Sequence, residues 1–235
     1  MKNDIRIYMA DVRDVPSDMY RNFFGMLSEP EKNRLFPSGR FPEKDGGSER
    51  ARRNIRLRLT AHALLATALP GADIRYTDDG RPYVYDAPSF TDISLTHEGD
   101  FCAVAVANGR IGIDLQSMEK TAAAEAHAAG LSARFPLPSV KNADCAEISF
   151  VIAFVADGSI RFSRIGCPTV TGEQTDTEVL RFLFRWTRME AVMKCDGRGF
   201  GCYADLKKNT SAYCASTFSL CDKEKNILIS VAEKI

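Results

Sequence analysis

The chain has 235 residues, 45% of them hydrophobic and 26% charged, with 31 basic residues against 31 acidic ones. Such a length and composition suit a folded chain of one to two domains with no need of a disulfide or metal staple, and they exclude intrinsic disorder. A formal net charge of zero supplies no global field to gather nucleic acid or an anionic membrane, so any anionic ligand must be met by a local cluster of cations.

The first twenty residues carry acids and no apolar run, which argues against a secretory signal. The longest apolar stretch, near 148–156, is about half the length that spans a bilayer. Seven cysteines form no C-x-x-C pair and no zinc-like pattern with His62, His97 and His127. The expectation is reduced thiols in a cytoplasmic protein.

Residues 5–10 predict a short opening strand. Ser28-Glu29-Pro30-Glu31 has the form of a helix start, with Pro in the first turn. Residues 36–47, rich in Pro, Gly and charge, predict a loop. A helical pattern then runs over 48–69 until Pro70-Gly71 stops it. Its first half, 49–58, holds five arginines. They form either a solvated face or an anion-binding one, where the planar guanidinium pairs with phosphate bidentately.

Residues 73–77 and 81–85 flank Asp78-Asp79-Gly80 and predict a hairpin. Segments 101–107 and 110–116 are joined by Asn108-Gly109, the strongest short hairpin signal. A two-residue turn would pair Ala107 with Arg110 and set Ala103 opposite Asp114. The period-2 rule then gives an apolar face of Cys102, Val104, Val106, Ile111, Ile113 and Leu115. The other face, Ala103, Ala105, Ala107, Gly112, Asp114 and Gln116, is small enough to admit a ligand or a close-packed helix.

Residues 121–134 predict an Ala-rich helix, and 148–155 with 159–165 predict a hairpin around Ala156-Asp157-Gly158. Residues 178–195 predict a helix with Phe182, Trp186, Met189 and Met193 as its apolar stripe and Gly197 as its C-terminal cap. Segments 217–221 and 226–232 predict a closing hairpin. Each half places a helix before a hairpin. The fold expected is α+β, with two similar helix-backed antiparallel-sheet halves, residues 1–116 and 117–235, and a cleft between them.

No G-x-G-x-x-G, P-loop, H-E-x-x-H or G-x-S-x-G pattern occurs. Polar residues do stand where structure alone has little need of them. His97 ends a strand, Asp114 lies between Ile113 and Leu115, and Glu190 borders an apolar helix stripe with Lys194 four residues on. Each alone has a structural reading: a hydrogen-bonded histidine, an edge-strand acid, an i,i+4 ion pair. Together they supply two carboxylates, an ammonium and an imidazole, a set suited to magnesium and phosphate.

In order along the chain come Gly80-Arg81-Pro82, the run 93–99 around Thr96-His97, Gly112-Ile113-Asp114-Leu115-Gln116, and the run 186–199 from Trp186 through Glu190 and Lys194 to Gly199. This set resembles the motifs of the 4′-phosphopantetheinyl transferases of the long, surfactin-synthetase-activating class. The resemblance covers about 27–116 and 180–200. It implies a pseudo-dimeric fold in a monomer, and transfer of the phosphopantetheine arm of coenzyme A to a serine of an acyl or peptidyl carrier protein, with release of adenosine 3′,5′-bisphosphate.

By that resemblance Asp114, Gln116 and Glu190 would hold Mg²⁺, and Glu190 would also serve as base for the carrier serine. Lys194 would neutralise the transferred phosphate, Thr96 and His97 would meet phosphates of the nucleotide end, and Arg81 would sit on the adenine side. Lys32 and the arginine-rich helix, Arg56 included, fall near positions that meet coenzyme A phosphates. Four departures stand out: Gln116 replaces an acid, Met189 replaces a lysine with Arg188 beside it, Arg134-Phe135-Pro136-Leu137 lacks an expected acid, and 145–171 reads as an inserted hairpin. Retention of both Asp114 and Glu190 favours an enzyme over a non-catalytic relative that only binds coenzyme A or a carrier protein, since a binder needs no base.

Overall fold

The computed structural model describes residues 4–36, 41, 48–85, 91–118, 130, 139–142, 147–156, 159–165, 169–170, 178–222 and 225–235. All but residue 130 of the expected helix over 121–134 lies outside the described residues, as do the segment Arg134–Leu137 and most of the expected loop over 36–47.

The fold is mixed α+β, and two five-stranded sheets form its centre. The first sheet has the order β4 (Asp92–Glu98), β5 (Phe101–Ala107), β1 (Asp4–Asp11), β8 (Glu147–Ala156) and β9 (Ser159–Ile165). The second runs β10 (Thr169–Val170), β11 (Tyr213–Asp222), β12 (Lys225–Lys234) and β6 (Ile111–Ser117), with β7 (Lys141–Asn142) beside β11. A separate hairpin pairs β2 (Asp73–Tyr76) with β3 (Pro82–Tyr85). Pairing is antiparallel except for β1 with β8 and β7 with β11.

Five helices are described. Two short ones, α1 (Met19–Met26) and α2 (Glu29–Leu35), pack in a corner with α3 (Glu49–Ala68). Ser28 and Glu31 start α2 with a reciprocal capping box, at the helix start that the sequence suggested. The long α4 (Glu178–Asp196) is followed by a 3₁₀ turn and α5 (Tyr203–Lys208). Among the described residues no helix is long and apolar enough to cross a membrane, and Cys102, Cys195, Cys202 and Cys214 are free thiols.

The layers follow from side-chain alternation. Ala103, Ala105 and Ala107 face Ile111, Ile113, Leu115, Ile227 and Ile229 in the core between the two sheets. Cys102, Val104 and Val106 face outward onto Leu57, Ala61, Leu64 and Leu65 of α3. On the far side α4 lays Met189, Val192, Met193 and Cys195 against Ala215 and Ala232 of the second sheet. Two helix-backed sheets therefore stack through their inner faces, with α3 and α4 outermost.

Two expectations are corrected by this arrangement. β5 and β6 do not form a hairpin ladder: β5 pairs with β1 and β4, whereas β6 pairs with β12. Asn108-Gly109 turns the chain from one sheet to the other. The small-residue face is consequently divided, its alanines entering the inter-sheet core while Gly112, Asp114 and Gln116 face α4. The hairpin of β8 and β9 forms as expected, but it extends the first sheet alongside β1 instead of belonging to the 117–235 half. Conversely β6, expected in the 1–116 half, is an edge strand of the second sheet.

Candidate active site

The edge of β6 lies against β4, and side chains of β4 replace a strand partner. Ile111 N–H donates to Asp92 Oδ2 at 2.9 Å, and Ile113 N–H donates to Ser94 Oγ at 3.1 Å. One step further along the same face, Thr96 Oγ1 lies 3.2 Å from Asp114 Oδ1. The stripe Asp92, Ser94, Thr96 is buried and satisfies polar groups that would otherwise be stranded between the sheets. It escaped the sequence reading, although alternating polar residues inside an apolar strand are its signal.

α4 approaches this seam because Gly112 has no side chain. A Cβ there would stand 2.0 Å from the Ala191 carbonyl oxygen and 2.4 Å from the Cys195 nitrogen. The close approach brings Glu190 and Lys194 over Asp114. Lys194 Nζ donates to Asp114 Oδ1 at 2.6 Å and to Thr96 Oγ1 at 2.9 Å. Asp114 is buried, while Glu190 and Lys194 are half-buried, so the site opens to solvent on the α4 side.

One ammonium serves two carboxyls here. Burial, and next the charge of Asp114, push the Glu190 carboxyl up to about 8, against the opposing pull of Lys194; Glu98 adds a smaller push. Gln116 Nε2 donates to Glu98 Oε1 at 3.4 Å, which places a further acid at the rim. His97 keeps solvent access, and its pKa is lowered by desolvation, then by the charges of Lys194 and Arg58. Arg58, from the arginine-rich helix, and Glu98 are site neighbours that the sequence reading did not single out.

The donor set fits a hard divalent cation. Asp114 Oδ2 is buried and accepts no hydrogen bond from an amide, ammonium or hydroxyl group, and beside it stands the Glu190 carboxyl, whose proton affinity is raised by burial, by the charge of Asp114 and by a hydrogen bond to it. Two such oxygens are what a Mg²⁺ ion satisfies. Among the described residues no three His, Cys, Asp or Glu side chains converge as a ready metal cluster. Asp114 and Glu190 would therefore share the ion with neutral donors such as the Gln116 amide, substrate oxygens and water.

Other expected residues lie elsewhere. Lys32 pairs with Glu29 at 2.7 Å and lies over the Phe24 ring; Arg56 lies over the Tyr20 ring. Both belong to the α1–α2–α3 corner. Arg188 turns into the second sheet, donating to the carbonyls of Val140 and Lys141 at 3.0 Å each, so it does not stand in for the lysine that Met189 replaces. Arg81 is buried and directs its guanidinium inward, to Asp92 and to the carbonyls of Ile111 and Lys194. No protein-family model and no curated protein matches the chain.

Proposed function

We propose that the protein is a magnesium-dependent 4′-phosphopantetheinyl transferase that loads a serine of an acyl or peptidyl carrier protein from coenzyme A. The observation that carries this reading is the meeting of the buried Asp114, from the second sheet, with Glu190 and Lys194, from α4. These residues are 76 to 80 positions apart in sequence, and they are the ones the motif resemblance singles out.

In this reading the carrier serine Oγ attacks the phosphorus nearest the pantetheine. The P–O bond to the nucleotide breaks, and adenosine 3′,5′-bisphosphate leaves with that bridging oxygen. Glu190, in its ionised form, takes the hydroxyl proton, and a bound divalent cation would favour that form over the protonated one. Lys194 swings its ammonium from Asp114 to the transferred phosphate. His97 and Arg58 meet the more distant phosphates. Bound between Asp114 and Glu190, Mg²⁺ would supply charge stabilisation to the pyrophosphate oxygens. All these groups come from one chain, so we propose a monomer as the working form.

The test is incubation with coenzyme A, Mg²⁺ and a panel of apo carrier proteins, read by mass spectrometry. A carrier that gains one phosphopantetheine supports the reading. Coenzyme A binding with no mass gain on any carrier would identify a binder instead.

A further inference from the structure

We infer that Arg81 is a positioning residue for Lys194: held by Asp92, it grips the Lys194 carbonyl and fixes the last turn of α4 so that the lysine amine reaches Asp114 and Thr96. The inference rests on the reading that Lys194 works at a substrate phosphate.

The Arg81–Asp92 pair occupies the place of a missing strand at the β6 edge. Asp92 Oδ2 accepts the Ile111 N–H at 2.9 Å, and Arg81 Nη2 donates to the Ile111 carbonyl at 2.8 Å. One residue's donor and acceptor are thus both answered by side chains, as a paired strand would answer them. Arg81 Nη1 then reaches across to the Lys194 carbonyl, in a turn whose carbonyls have no donors within the helix. Arg110 answers the next two, donating to Cys195 O at 2.8 Å and Asp196 O at 3.0 Å.

Gly197 makes room for the Arg110 guanidinium and for the stem of Arg81. Its φ is +98°, and a Cβ there would lie 2.6 Å from Arg110 Nη2 and 3.1 Å from Arg81 Cδ. Lys194 is consequently held at both ends, its carbonyl by Arg81 and its amine by Asp114 and Thr96. A lysine has four rotatable side-chain bonds, and fixing its backbone removes much of the search for a reactive pose. With its side chain only 5% exposed, Arg81 has no open face for an adenine ring.

The test uses Arg81→Lys, which keeps the charge for Asp92 but lacks the planar fork that reaches three separated acceptors, and Asp92→Asn, which keeps the shape. Acetylation of Lys194 by acetic anhydride is followed by mass spectrometry in the unligated protein, relative to exposed Lys208. Loss of one charge-assisted contact should raise the Lys194 rate about tenfold in both variants. Single-turnover transfer should fall by a similar factor with coenzyme A affinity unchanged, and Arg81→Lys should add nothing in a Lys194→Ala background. Unchanged Lys194 labelling in the folded variants overturns the inference whatever the transfer assay gives; Asp92→Asn carries the test alone if Arg81→Lys does not fold. Weaker coenzyme A binding with unchanged labelling also overturns it and assigns Arg81 to the nucleotide. A parent protein that transfers nothing overturns the transferase reading alone, because the labelling is read without substrate.

Discussion

Glu190→Gln removes one of two carboxyls that share a single ammonium, and its effect on stability has a definite sign. In the folded protein the Glu190 carboxyl is pushed from 4.5 up to about 8. Below pH 4.5 it is protonated in both folded and unfolded chains and contributes nothing to the balance. Between 4.5 and 8 the folded chain keeps a proton that the unfolded chain has lost, so stability falls as pH rises. Above 8 the loss is complete. At 1.36 kcal/mol per unit the shift corresponds to about 5 kcal/mol, and solvent screening at this half-buried group leaves about 1–3 kcal/mol. Urea unfolding of metal-free parent and variant at pH 5 and pH 9 measures it. The two should differ little at pH 5, where only the first part of the loss has occurred, and Glu190→Gln should be clearly the more stable at pH 9. Parallel behaviour at both pH values would refute the burial of Glu190 beside Asp114.

Magnesium should raise the unfolding midpoint of the parent at pH 9, by mass action on the folded state, and leave Asp114→Ala unmoved; an equal rise in both would place the ion elsewhere. Gln116→Glu should tighten Mg²⁺ binding, measured calorimetrically, because it restores an anionic donor beside Asp114; unchanged affinity would mean that residue 116 lies away from the ion. Gly112→Ala should cost about 1–3 kcal/mol or more in thermal or urea unfolding, since its Cβ meets backbone atoms of α4 and the helix must move away. An unaffected midpoint would contradict the direct packing of α4 on β6.

Local signals gave most of the elements, because capping boxes, Pro-Gly stops and hydrophobic periods are written in neighbouring residues. Partnering was harder to read. Asn108-Gly109 reverses the chain, but a reversal does not oblige the flanking strands to pair. The run Phe101–Ala107 is apolar at every position and buried on both faces, which is the pattern of a central strand and not of a half-exposed hairpin arm. The parallel pairing of β8 with β1 joins residues about 140 apart, and no local pattern encodes it. Asp114, Glu190 and Lys194 were legible because polar groups stood in or beside apolar elements, whereas Thr96 entered only through the motif resemblance. The inward course of Arg81 was not, since an arginine after a turn glycine reads equally well as a surface cation.

The measurement nearest the central claim is single-turnover transfer by Glu190→Gln, with coenzyme A affinity determined on the same preparation. The substitution keeps the side chain's shape and removes its basicity and its charge at the metal position. Loss of a general base alone is worth about 10²–10⁴-fold, so transfer should collapse by at least that factor. On the proposed function coenzyme A should bind within a few-fold of the parent, because Lys194, His97 and Arg58 would still meet its phosphates. A folded Glu190→Gln protein that transfers within about tenfold of the parent would contradict the assigned role.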